Sequence, residues 1–425
     1  MKKITFLLAA FICFIGSAQD TYLHCGKLID TKNGKVLTNK TIVVSMNKIT
    51  AVNDGYTTPA SSEDVVIDLK NKTVMPGFID MHVHIEGETS PTRYLDRFTK
   101  NSTDVAYTAA EIANRTLMAG FTTVRDLGGS GVNISLRDAI KKGKVPGPRI
   151  FTVGKAIGTT GGHADPTNGM RKELMGDPGP AEGVINSPSD ARKAVRQRYK
   201  NGADLIKITA TGGVLSVSKN GHNPQFTQEE VNEIVKTANE YGMSVAAHAH
   251  GIEGMKRAIK AGVQTIEHGS LMDKETAQLM KQYNTYLVPT LSAGRFVASK
   301  VDVPNYYPEI IIPKILMIDA SVRQTMVMVN KEGVNIAFGT DAGVFPHGEN
   351  AKEFGYMVET GWSEMFSIQS ATITNAKLLD MENALGQLSE GFIADIVATD
   401  EDPTENIRTT ENVSFVMKEG KIYKN

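Results

Sequence analysis

Two hydrophobic rhythms alternate along the chain. Between residues 20 and 73, apolar positions come in short β-branched runs: Leu28-Ile29-Asp30, Thr41-Ile-Val-Val44, Ile49-Thr-Ala-Val52 and Val65-Val-Ile67. Asn33-Gly34, Asn53-Asp54-Gly55 and Asn71-Lys72 separate them. β-Branched residues fit a pleated surface and Asn-Gly pairs fit tight turns, so this stretch predicts short strands. The same texture returns from Gly386, in Ile393-Ala-Asp-Ile-Val-Ala398 and Val413-Ser-Phe-Val416. Two β-rich ends around a different middle predict that they meet as one small β-sandwich domain, residues 19–73 with 381–425.

The middle, residues 74–380, repeats another unit. A helical stretch closes on Gly, a short apolar strand follows, and a polar residue ends it. Ala119-Gly120 leads to Asp126, Asn201-Gly202 to Lys207, and Tyr241-Gly242 to His248. Ala261-Gly262 then leads to His268 and Glu332-Gly333 to Asp341. Gly after a helix is expected, because it adopts the left-handed turn without a Cβ clash. With Val74–Ile85, Arg149–Gly154 and Thr285–Leu291 the count reaches eight strands, which predicts an α/β fold of the (β/α)8 TIM barrel type. Thr227 with Glu230 reads as a capping box, and Thr103 and Ser189 read as N-caps. The charge-rich helix Asp190–Lys200 reads as a solvated outer face. The connection Lys155–Pro188 is longer than a barrel loop needs, so a functional role is expected of it.

Composition changes this picture little. The chain of 425 residues is 41% hydrophobic, enough for a large core, and its formal net charge of -1 argues against nucleic acid or an anionic membrane as partner. Lys2 and Lys3, the apolar run Ile4–Ile15 and Gly16-Ser-Ala18 have the form of a signal peptide over residues 1–18, which predicts an exported protein, periplasmic or secreted. Cys13 lies between Phe11-Ile12 and Phe14, which lack the small residues of a lipidation site. No apolar stretch predicts a membrane span. After cleavage only Cys25 remains, so no internal disulfide is expected.

The candidate chemistry sits at the strand ends. In a strand, residues i and i+2 share a face, so His82 and His84 present two imidazoles side by side, with Asp80 on the same face. Neutral imidazole is a common ligand for zinc and similar ions. The carboxyl ends of barrel strands surround one site, so His82, His84, Lys207, His248, His268 and Asp341 are expected to converge as a metal centre. Lys207 lies in the apolar run Leu205-Ile-Lys-Ile-Thr-Ala210, where an unpaired ammonium is costly. It is therefore neutral, paired with a carboxylate, or carboxylated on Nζ.

These residues, with Pro76-Gly-Phe-Ile-Asp80 before them and Gly386-Gln-Leu-Ser-Glu-Gly-Phe-Ile-Ala-Asp395 near the end, resemble the binuclear metal-dependent amidohydrolase superfamily over essentially the whole mature chain. Ile208-Thr-Ala-Thr-Gly-Gly-Val-Leu215 and Ala247-His-Ala-His-Gly251 are most similar to the branch of Xaa-Pro and Xaa-Arg/Lys dipeptidases (prolidase-like) and ochratoxinase-type amidases. The resemblance implies two divalent metal ions, with zinc the expected metal. His82 and His84 would hold one and His248 and His268 the other. An N6-carboxylysine at Lys207 would bridge them, and Asp341 would bind the first metal and carry the proton. It implies a metal-bridging hydroxide attacking an amide or peptide bond next to a free carboxylate, in dipeptides or N-acyl amino acids.

The resemblance also implies that His163, in Gly158-Thr-Thr-Gly-Gly-His-Ala-Asp165, contacts the substrate carboxylate. His250, where some prolidase relatives carry tyrosine, is a second candidate. A homo-oligomer is expected. A cyclic amidase acting on imidazolone- or hydantoin-like rings is the alternative reaction, and a non-catalytic metal- or peptide-binding protein the alternative class. Asp126 is expected to support a ligand histidine. His222 reads as a turn residue, and Arg295, Tyr306 and Tyr307 as solvated loop residues.

Overall fold

The computed structural model describes residues 19–218 and 220–425; the expected signal peptide lies outside them. Strands β1 (Asp20–Asp30), β2 (Lys35–Ser45), β3 (Lys48–Asp54) and β4 (Val65–Pro76) form from the first β-rich stretch. β5 (Phe78–Val83), β6 (Phe121–Asp126) and β7 (Arg149–Thr152) follow, then the two-residue strands β8 (Gly158–Thr159) and β9 (Val184–Ile185). After them come β10 (Ile206–Thr209), β11 (Val245–Ala249), β12 (Thr265–His268) and β13 (Tyr286–Val288). The chain ends with β14 (Ile396–Thr399), β15 (Val413–Lys418) and β16 (Lys421–Lys424).

The two ends meet in one seven-stranded hydrogen-bonded sheet of order β16-β15-β14-β4-β1-β2-β3, and the β2–β3 turn touches the segment before β14, Ile49 N donating to Phe392 O and Ala394 N to Asn47 O, both at 2.9 Å. β4 joins the two ends. It runs parallel to β1 along one edge and accepts β14 antiparallel along the other, so the late strands extend the sheet. Leu23, Cys25, Ile42, Val44, Ile396, Ala398, Phe415 and Met417 line one apolar cluster from both ends of the chain. Their spacing of two is the signature of a single buried sheet face.

The parallel strands form two sheets, β5-β6-β7 and β10-β11-β12-β13, rather than one continuous eight-strand ladder. The eighth apolar run, 335–341, touches both without becoming a regular strand. Ala337 N donates to Leu287 O of β13 at 2.9 Å, and Met81 N of β5 donates to Phe338 O at 3.0 Å. Asp341 has φ +61°, which breaks the extended backbone there. On the other side Ile157 spans to β10, donating from its N to Lys207 O at 2.8 Å and accepting from Thr209 N at 3.0 Å.

The single strand expected over Val74–Ile85 is two, split at Gly77. A Cβ at Gly77 would lie 2.3 Å from the Thr122 hydroxyl, so this close approach needs glycine. The capping box at Thr227 and Glu230 forms as expected. The other two helices are capped by Asn101 and Ser187, each two residues ahead of the expected Thr103 and Ser189. Pro188 sets the second start, because proline fits the first helical position and leaves Ser187 outside to accept from Asp190 N. That helix is solvated on one side only, and it buries Ala191, Ala194, Val195 and Arg198. No helix among the described residues is long and apolar enough to cross a membrane.

Candidate metal centre

A cavity of about 910 Å³ opens at the carboxyl ends of the parallel strands. His82, His84, His163, Lys207, His248, His250, His268 and Asp341 all line it. Their order in sequence has no bearing on this convergence; their shared place in the strand unit does.

At its floor, Asp341 Oδ1 lies 3.4 Å from His82 Nε2 and 3.3 Å from His84 Nε2. His82 Nε2 and Asp341 Oδ1 are buried and have no hydrogen-bond partner. Buried polar atoms without partners are costly unless something else satisfies them. The His248 ring lies 4.6 Å from that of His268 and 4.7 Å from that of His250, and His163 lies 4.4 Å from His248. Among the described residues, two groups have donor atoms close enough together to share an ion, His82–His268–Asp341 and His248–His250–His268. Imidazole nitrogens with a carboxylate oxygen are a donor set suited to zinc and its neighbours, so a divalent ion fits these residues.

The opposite ring nitrogens decide which way each imidazole faces. His82 Nδ1 donates to Glu267 Oε2 at 2.9 Å, His84 Nδ1 to Gly128 O at 2.8 Å, and His248 Nε2 to Gly212 O at 3.0 Å. Carboxylates and carbonyls only accept, so each of these rings keeps its other nitrogen as a lone pair for the centre. His268 Nδ1 pairs with Thr290 Oγ1 at 2.7 Å, and His250 Nδ1 with Ser270 Oγ at 3.0 Å. Three residues of this region, His268, Thr290 and Asp341, hold φ of +74°, +51° and +61°. Left-handed backbone at residues with a Cβ is strained, and strain of this kind clusters where side chains must be aimed.

Burial, followed by the Lys207 charge, pulls His82 down to about 4. Burial likewise holds His163 at about 3 and His250 at about 4, and drives His248 and His268 well below their ordinary value. All five are neutral at pH 7, the form a metal needs. Burial lowers Lys207 to about 8. For Asp341, burial opposes ionisation, but the His82 and His84 imidazoles outweigh it and lower the carboxyl to about 2.

Other expectations need correction. Asp126 makes no hydrogen bond to a histidine and acts on His84 only through its charge: it accepts from Ile85 N at 3.0 Å, Asn133 Nδ2 at 2.6 Å and Thr152 Oγ1 at 2.7 Å. Those three donors hold the carboxylate beside β6. Asp80, on the face of His82, instead braces the Asp341 turn through Thr340 Oγ1 at 2.7 Å and Asn350 Nδ2 at 2.8 Å. Tyr307 is buried, not solvated, and packs with Tyr306, Tyr94, Val214 and Leu215. Arg295 lies in the helix Leu291–Ala298 and pairs with Glu359 at 3.2 Å. His222 lies in a bend, as expected, part-buried and with a partnerless Nδ1.

Glu267 and Thr290, which orient ligand candidates, were not expected, and neither was the buried His347, paired with Glu88 at 3.2 Å. Glu267 carried one signal: it is an acid inside an apolar strand, directly before His268.

The profile of the amidohydrolase family matches residues 73–423. An ochratoxinase from Aspergillus niger is 32% identical over 429 residues, covering 96% of this chain and 87% of its own. Among solved structures, a Xaa-Pro dipeptidase with methionine bound in its active site superposes with a TM-score of 0.93 at 51% identity, covering 96% of this chain and 100% of the other. A prolidase in complex with N-methylphosphonate-L-proline gives a TM-score of 0.86 at 31% identity, with the same coverage of both chains.

Proposed function

The chain belongs to the amidohydrolase family, and on that premise we propose that it hydrolyses the amide or peptide bond next to a free carboxylate, in dipeptides or N-acyl amino acids. The observation that carries this reading is the pair of partnerless buried atoms, His82 Nε2 and Asp341 Oδ1, at the floor of a cavity with five further imidazoles. The likeness to a prolidase-type and an ochratoxinase-type hydrolase supports the bond type and the free carboxylate.

His82, His84 and Asp341 would hold one divalent ion and His248 and His268 a second, with Lys207, carboxylated on Nζ, between them; we assign zinc. When bound, such ions polarise a carbonyl and bring the pKa of water down towards about 7. The residues do the rest. Burial lowers Lys207 to about 8, which brings the neutral amine within reach near neutral pH; that form adds carbon dioxide, forming the N–C bond and releasing a proton. Asp341 is ionised at neutral pH, so its carboxylate can take the proton of the attacking water and deliver it to the leaving nitrogen. The half-buried His163 and the buried His250, both packed against His248, would orient the substrate carboxylate.

We read the two parallel sheets, spanned by 335–341 and Ile157, as a (β/α)8 barrel over 74–380, and the terminal sheet as the second domain. Export through residues 1–18 and homo-oligomeric assembly complete the proposal. The test is amino-acid release from a panel of dipeptides and N-acyl amino acids, with zinc and bicarbonate, against a chelator-treated control. Chelator-sensitive release is expected. Protein that binds two metals yet releases nothing would turn the reading towards cyclic amides.

A further inference from the structure

An ionic chain crosses the interior behind the metal centre. Arg125, on β6, is fully buried, as is Glu267 on β12. Arg125 donates from Nε to Met81 O at 2.7 Å and from Nη2 to Glu267 Oε1 at 2.8 Å. Nη1 and Nη2 also reach Thr265 Oγ1 at 3.2 Å, and that hydroxyl donates to the same Glu267 oxygen. The other oxygen, Oε2, accepts from His82 Nδ1 at 2.9 Å. Neither Arg125 nor Glu267 lines the cavity, so neither can meet a substrate.

Each carboxylate oxygen thus has one task. The planar fork of Arg125 holds the Thr265 hydroxyl, and that hydroxyl and Nη2 both donate to Oε1, so two donors on one oxygen fix the rotation of the whole carboxylate. With that rotation fixed, Oε2 faces His82, and a carboxylate with no proton to give can only accept from Nδ1. We propose that Arg125 is a positioning residue for the metal centre: by clamping Oε1 of Glu267 it holds His82 as the Nδ1–H tautomer, with Nε2 turned to the ion. This rests on the metal-binding reading above. His84 and His248 are backed by main-chain carbonyls and His268 by a hydroxyl. Only His82 among these four is backed by an ion pair, so the effect belongs to the ion His82 holds.

Two measurements test it. In the metal-free wild-type protein, nitrogen-15 NMR of the histidines, with His82 assigned by its loss in His82→Asn, is expected to show a protonated Nδ1 and a bare Nε2. A bare Nδ1 would overturn the proposal. The second is zinc titration of the double variant Arg125→Met/Glu267→Met, which removes both charges and so strands neither. One of two zinc ions is expected to bind about 10–100-fold more weakly, the other as before, with His82 no longer held to one tautomer. Unchanged affinity with an unchanged tautomer would reduce the ion pair to a fold-holding role. Should the double variant fail to fold, the wild-type tautomer decides alone. A wild-type protein that binds no zinc would sink the metal reading instead, while the tautomer still judges Arg125.

Discussion

His82 shows how one side chain can be readable and its setting hidden. The pair His82 and His84 pointed to a ligand site because i and i+2 share a strand face, and Asp341 did so by closing a strand of the repeating unit. The same rule concealed Glu267. If His268 faces inward, its neighbour Glu267 should face out, yet both reach the interior because His268 leaves the strand at φ +74°. Its partner Arg125 stands 142 residues away, beyond any local pattern. Two predictions belong at this scale. Asp341→Asn should retain much of its zinc by elemental analysis while turnover falls by about 10²–10⁴-fold, the usual worth of a placed acid–base group. Near-normal turnover would remove Asp341 as proton carrier. Lys207→Ala should lose both metal and turnover, with partial recovery in short carboxylic acids; full zinc occupancy in that variant would rule out the bridge.

At the scale of elements, the loop after β10 does what no periodicity announces. Lys314, in the helix Ile312–Glu332, is buried and donates from Nζ to Gly213 O at 3.3 Å and Ser216 O at 2.5 Å. The loop is thereby pinned with Gly213 flat against His163, where a Cβ would lie 2.2 Å from the ring. Gly213→Ala should therefore displace His163 while leaving the metal ligands alone. We expect kcat/KM on carboxylate substrates to fall about 10-fold or more, the cost of a lost charged hydrogen bond, with metal content unchanged. Equal losses on carboxylate-free amides would place His163 elsewhere. Repeating helix–Gly–strand units were readable because each carries its own punctuation. The pairing of the terminal strands was not, since which strand takes β14 depends on which edge of β4 stays open.

For the whole molecule, the centre makes the metal-free protein acid-sensitive. His82, His163 and His250 have folded pKa values of about 4, 3 and 4, below the ordinary 6.5. Between those limits the unfolded chain binds protons that the folded one refuses, so stability rises with pH across the window. It is fully present above 6.5 and is lost as pH falls towards 4. At about 1.4 kcal/mol per pH unit for each group, the loss amounts to several kcal/mol, and Tm of the chelated protein should drop clearly between pH 7 and pH 5. A flat Tm would mean that these imidazoles protonate in place. In the terminal sheet, burial pushes the Cys25 thiol up to about 12. It should stay unreactive towards a thiol reagent at pH 8 and react only in denaturant.

The seven-stranded sheet also sets an order of manufacture. β4 is complete once Pro76 has been made, but the strand that covers its second edge begins at Ile396. About 320 residues separate them, or roughly 16–64 s of translation at ~5–20 residues per second. For that interval the nascent chain carries a bare β edge, a template for pairing with any neighbour. The last strands off the ribosome therefore act as a cap on the first, and a chain cut short before Ile396 should aggregate rather than persist as a smaller enzyme.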